Sequence, residues 1–191
     1  MKENVRSLLK TGAILLSIGF ICTLLLSLCN YLTKDKIARL SAESEKAAMT
    51  ATLPEAQDFL KYTGEYDGIV TAVYAGKTAD KKIVGYCVKA EPVGYGGAIS
   101  MMVGINTDGV VTGVDIVEMS ETPGLGAKAD SADFTDRYKG KTSGVSVLKS
   151  GKLNENQINA ISGATVTSKA VTQGVNSALE AVEKLSKGGA K

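Results

Sequence analysis

Thr165 stands in the run Ser162-Gly163-Ala164-Thr165-Val166-Thr167-Ser168, just ahead of an amphipathic helix. A hydroxyl on a tight glycine turn at a helix N-terminus meets uncommitted amide N–H groups and the positive end of the helix dipole. That setting favours a phosphate. The same run also reads as a plain cap, because Ser and Thr cap helices without any ligand. Two further segments gather glycine with polar groups: Val93-Gly94-Tyr95-Gly96-Gly97 and Glu121-Thr122-Pro123-Gly124-Leu125-Gly126. Glycine lets backbone amides approach a ligand closely and admits the positive φ of tight turns. Each segment alone reads first as a structural turn. None fits GxGxxG after a strand or a Walker A pattern, which argues against a Rossmann site or a P-loop.

The composition narrows the chemistry. Among 191 residues there is no histidine, which removes His-based acid/base catalysis, Ser-His and Cys-His nucleophile pairs, and most familiar zinc and copper sites. Difficult chemistry here would fall to a bound cofactor. Cys22 and Cys29 lie in an apolar run and Cys87 stands alone, so neither a metal site nor a disulfide framework is indicated. A net charge of +2, evenly spread, does not point to nucleic acid. The 21 glycines imply many tight turns.

Positioning these loops requires an anchor and a domain. No charge falls between Lys10 and Lys34, an interval long enough to cross a bilayer, with Tyr31 suited to its interface. No small-x-small cleavage pattern follows it, so an uncleaved anchor is expected rather than a signal peptide. Lys2, Arg6 and Lys10 before the span nearly balance Lys34, Lys36 and Arg39 after it. The charge rule thus leans only slightly to a cytoplasmic N-terminus with the domain outside. Residues 1–32 are expected as a transmembrane anchor and 33–53 as a helical stalk ended by Leu53-Pro54. Residues 54–187 are expected as an α+β domain of mostly antiparallel strands with a few helices.

Strands are expected at Gly68–Tyr74, Lys82–Ala90, Ile99–Asn106 and Val110–Glu118, the last two joined by a Thr107-Asp108-Gly109 hairpin turn. A short helix at Ala132–Tyr138, capped by Asp130 or Ser131, follows the Ser120–Gly126 loop. Residues 139–160 look irregular apart from a β-like piece at Val145–Leu148. The terminal helix buries Val171, Val175, Ala178, Val182 and Leu185. Lys169, Gln173, Asn176, Glu180 and Lys184 face away. The tail Lys187–Lys191 is expected to fray.

Taken together, the ordered loops are more specific than any one of them. Gly94-Tyr95-Gly96-Gly97 leading into Met102-Val103-Gly104-Ile105, then Glu121–Gly126, then Ser162–Thr165 resemble RnfG, the FMN-binding subunit of the Rnf electron-transport complex. The resemblance covers essentially the whole chain. The related NqrC of the sodium-translocating NADH:quinone reductase shares the ETPGLG and SGAT elements, but it is longer and lacks the Gly-Tyr-Gly-Gly segment. The resemblance implies FMN held covalently through a phosphoester at Thr165, installed by a flavin transferase from FAD. It also implies partner membrane subunits and a flavin domain on the extracytoplasmic side of the cell membrane. The transferase commonly recognises an acidic residue three positions before the serine; here that position is Asn159, a departure from the pattern.

A phosphoester at Thr165 keeps a negative charge where the helix dipole stabilises it by about 0.3–1 kcal/mol. Ser162, Gly163 and Ala164 complete the turn, and Thr167 and Ser168 either bind phosphate oxygens or cap the helix. Glu121, Thr122, Gly124, Leu125 and Gly126 are expected to close over the isoalloxazine, with Tyr95 nearby. Two other functions compete with electron carriage. A free-standing flavin reductase would need a proton donor, for which Tyr95, Glu121 and Lys128 are the candidates; a non-redox anchored module would leave Ser162–Ser168 as a cap only.

Overall fold

The computed structural model describes residues 2–64, 66, 68–149 and 151–188, with side chains from Lys10 to Lys187. The chain divides into two compact units, Met1–Glu43 and Ser44–Lys191. Helix α1 spans Lys2–Thr52. Its charge-free interval runs about 35 Å at the helical rise, enough to cross a bilayer. Leu16, Leu26 and Leu32 stand exposed along it, a surface that suits lipid. Ser17, Thr23 and Thr33 each donate their hydroxyl to the carbonyl four residues earlier, so these donors are satisfied within the apolar stretch. Pro54 ends the helix, since proline restricts the residue before it and supplies no N–H.

The second unit is α+β. Strands β1 (Asp58–Tyr62), β2 (Val70–Lys77), β3 (Ile83–Ala90), β4 (Ser100–Asn106) and β5 (Val111–Glu118) form one antiparallel meander in sequence order. The Asp-Gly hairpin forms between β4 and β5. Asn106 Oδ1 accepts the N–H groups of Asp108 and Val110, and Gly109 takes φ +77. Strand β1 is not legible in the sequence, because it is an edge strand with four of its five positions exposed and so shows no alternation.

Both faces of the sheet are covered. Val73, Val88, Met101, Val103, Ile105 and Val114 pack in one core with Val171, Val175, Ala178 and Val182 of α3 (Thr165–Gly188). Cys87 and Met102 point to the other face, into a cluster with Ala48 and Met49 at the end of α1 and Leu53 just after it. A trough of glycines, with Gly76 opposite Gly85 and Gly104 opposite Gly113, lets that end of α1 lie close. A Cβ on Gly76 would stand 2.5 Å from Leu53, and one on Gly104 2.2 Å from the carbonyl of Thr52. Beside this contact Lys89 pairs with Glu45 and Glu91. Burial alone would lower its pKa, but the two carboxylates outweigh that and hold it above the usual lysine value.

The remainder shows three departures from expectation. A 3₁₀ turn occupies Gly126–Asp130 and the helix α2 only Ala132–Thr135, with a second 3₁₀ turn at Asp136–Tyr138. Ser131 sits at the cap position of α2, yet its hydroxyl donates back to the carbonyl of Lys128. Residues 139–160 are not wholly irregular: β6 (Ser146–Leu148) and β7 (Gln157–Asn159) pair in parallel. Three-residue strands are too short to carry a period. Asn176 does not face away, because its amide group accepts from the Val145 N–H and donates to the Val145 carbonyl. Helix α3 continues through Gly188, and the rest of the tail, residues 189–191, lies outside the described residues.

Candidate functional site

The N-terminus of α3 is built on the turn at Ile161–Ala164. Gly163 takes φ +77, in the left-handed region that glycine enters without strain. The Ala164 N–H donates to Ile161, and the Ala164 carbonyl accepts from the Ser168 N–H, making Ala164 the capping position. Ser168 is fully buried; its hydroxyl donates to the Ala164 carbonyl and accepts the Ile161 N–H at 3.0 Å. The first three N–H groups of a helix lack intrahelical acceptors. No loop carbonyl among the described residues takes those of Thr165, Val166 and Thr167.

Thr167 turns inward and donates its hydroxyl to Glu121 Oε2 at 2.8 Å. Glu121 Oε1 accepts the Tyr95 N–H at 2.8 Å and the Gly96 N–H at 3.1 Å. One buried carboxylate, 8% exposed, therefore joins all three glycine segments. Its oxygens leave no room for side chains at the glycines around it: a Cβ on Gly94 would lie 2.2 Å from Oε1 and one on Gly126 2.4 Å from Oε2.

The three segments enclose a cleft of about 530 Å³. Tyr95, Glu121, Thr122, Leu125, Gly126, Gly163, Ala164, Thr165, Val166 and Thr167 line it. Ser162, Gly124 and Ser168 do not. Thr165 is half-buried at its wall, and of the three hydroxyls of the first helical turn only this one has no hydrogen-bond partner among the described residues. The loop after Glu121 closes on itself, with the Thr122 carbonyl accepting from Leu125 and Ala127 and Gly124 at φ +77. Tyr95, 77% exposed, tips a tight loop in which the Gly94 N–H donates to Gly97. Val166 is a lining residue that the motif does not single out; it lies off the apolar stripe of α3, which is itself the signal that could have found it. Lys128 does not line the cleft. Asn159 is exposed, and its carbonyl accepts from Arg137 at 2.7 Å.

The site suits a phosphorylated ring compound, because its lining combines amides and a hydroxyl without partners among the described residues with apolar side chains and glycine backbone. Among the described residues no cluster of side chains could hold a metal ion.

Comparison with known proteins agrees with this chemistry. Residues 94–180 match the FMN-binding domain family, and residues 1–51 match the RnfG N-terminal region. The chain is 38% identical to the G subunit of the Na(+)-translocating ferredoxin:NAD(+) oxidoreductase complex of Acetobacterium woodii, over 93% of each chain. It is 37% identical to the G subunit of the proton-translocating ferredoxin:NAD(+) oxidoreductase complex of Clostridium ljungdahlii, over 85% of each. Its fold is that of the NqrC-type protein of Parabacteroides distasonis, from a Na(+)-translocating NADH-quinone reductase. There the TM-score is 0.59 at 20% identity, covering 78% of this chain and 95% of that one. Resemblance in sequence along nearly the whole length, with the glycine segments meeting at one cleft, means that the chain belongs to the RnfG family, the G subunits of ion-translocating oxidoreductase complexes.

Proposed function

We propose that this chain is the membrane-anchored electron carrier of an Rnf-type ferredoxin:NAD oxidoreductase complex, with FMN bound covalently at Thr165. The observation that carries the reading is the Thr165 hydroxyl. Among the described residues it has no hydrogen-bond partner, and it stands at the cleft wall beside three amides that no loop carbonyl takes. In the attachment, the Thr165 oxygen bonds to the FMN phosphorus of FAD and the pyrophosphate bond breaks. AMP leaves and the hydroxyl proton passes to solvent. A flavin transferase performs this step on the extracytoplasmic side.

The residues present fit the group. The N–H groups of Thr165, Val166 and Thr167 would hold the phosphoryl charge, aided by the dipole of α3. Leu125, Val166 and Tyr95 would supply apolar contact for a ring system, and Gly126, with no Cβ, leaves room for the Glu121–Thr167 contact behind it. FMN bound there supplies reversible electron uptake and release. The chain contributes position and exclusion of water and needs no acid/base residue, in keeping with its lack of histidine. Glu121 already accepts from three protein donors, which favours a holding role for it over that of a flavin reductase's proton donor.

The test is expression of the full chain beside an active flavin transferase. A denaturing gel is then viewed under ultraviolet light, and the mass of the peptide containing Thr165 is measured. The expected result is a fluorescent band, a mass gain of one FMN less water, and loss of both in Thr165→Ala. A bare peptide, or a band that persists in Thr165→Ala, overturns the reading.

A further inference from the structure

Glu121 is the one carboxylate among the cleft-lining residues, and all its contacts are donors. Through Oε1 it holds the backbone of the Tyr95 loop, and through Oε2 it holds the first turn of α3. Of these two elements, one carries the exposed aromatic ring of Tyr95 and the other carries Thr165. The carboxylate is 8% exposed, so its charge is poorly screened by water and salt.

We propose that Glu121 is the positioning residue of the flavin site. It locks the Tyr95 loop to the N-terminus of α3, and its charge, set in the cleft, lowers the potential of the flavin. The inference rests on the flavin reading above and goes beyond it by assigning two separable effects to one side chain. Position comes from three hydrogen bonds. The electrostatic effect comes from a negative charge that opposes the negative charge gained on reduction.

Substitution separates the two. In Glu121→Gln the carbonyl oxygen still accepts from Tyr95 and Gly96, and the amide donates to the Thr167 hydroxyl, which turns to accept. Shape is kept and charge is lost. In Glu121→Ala both are lost and the Tyr95 loop is untied. The full chain is flavinylated, purified in detergent and compared per covalently bound flavin, with potential measured by dye equilibration and brightness by flavin fluorescence.

Glu121→Gln is expected to shift the potential to a more positive value with fluorescence near that of the parent. Glu121→Ala is expected to brighten the flavin, because the Tyr95 ring at the cleft would quench a flavin it contacts, and the untied loop no longer holds that ring in place. Tyr95→Leu brightens it likewise, and the double variant is no brighter than either, as required if Glu121 acts through Tyr95. Thermal unfolding of the unmodified chains separates these effects from general loss of fold. An unchanged potential in Glu121→Gln overturns the electrostatic part, and that variant alone decides if Glu121→Ala does not accumulate. Brightening that adds fully to that of Tyr95→Leu, or no brightening, overturns the positioning part. A parent chain without bound flavin fails the earlier reading instead.

Discussion

Thr112 donates its hydroxyl to the main-chain carbonyl of Thr52 at 2.5 Å, tying β5 to the last turn of α1 across 60 residues of sequence. The contact is possible because Gly104 and Gly113 present bare backbone to Thr52. It gives the C-terminal end of α1 a definite seat on the sheet face opposite α3.

That seat is the first target. Gly104→Ala puts a methyl against backbone that cannot move aside, and overpacking of this kind costs about 1–3 kcal/mol. Thr112→Val removes one hydrogen bond and costs about 1 kcal/mol. Denaturant unfolding of the full chain in detergent should rank Gly104→Ala as the more damaging. The reverse order would mean that the helix end yields easily.

Gly163→Ala forces a β-carbon onto φ +77 and against Leu125 Cδ2 at 3.0 Å. The backbone term is about 1–2 kcal/mol. Lower stability and a lower yield of covalent flavin are expected. Adding Leu125→Ala relieves the contact but not the backbone strain, so recovery should be partial. Full recovery would assign the effect to the side-chain clash alone.

Burial pushes the Cys87 thiol up to about 12, with the Thr52 hydroxyl pulling weakly the other way. Thiolate is therefore scarce near neutral pH. In a Cys22→Ser, Cys29→Ser background, maleimide labelling should be silent in the folded chain and complete after unfolding. Rapid labelling without denaturant would show that the face beneath α1 opens.

Asp115 is held above the usual carboxylate value of 3.8, by burial first and by the charge of Asp130 second. The native state thus binds this proton more tightly than the unfolded chain, so stability from this group is present at low pH and declines as pH rises above 3.8. Asp115→Asn should raise the melting temperature at neutral pH, with the gain vanishing in acid. The group is partly exposed, so the shift should be small and should diminish with salt. An equal gain at every pH would point to packing instead.

Local pattern makes much of this molecule readable. The uncharged interval after Lys10, the Asp-Gly hairpin and the terminal amphipathic helix each carry their signal within a few turns of chain, where composition and period speak directly. Edge strand β1 and the three-residue strands β6 and β7 carry none, because exposure removes the alternation and brevity removes the period. Helical spacing puts Asn176 on the outer face of α3, and spacing does not reveal that the Val145 backbone lies opposite it.

Residue order alone is enough to establish an apolar span, a mixed domain without histidine and three glycine segments able to approach a ligand. That these segments meet, and that Glu121 is what joins them, follows from the packing of the folded chain. Packing also selects which hydroxyl of the α3 turn is uncommitted. Thr165 and Thr167 are equivalent as residue types two positions apart, and a helix turns successive side chains toward different surroundings. One meets a buried carboxylate 46 residues away in the chain and the other meets the open cleft. Pairings over such separations depend on how the elements pack, which no local pattern records.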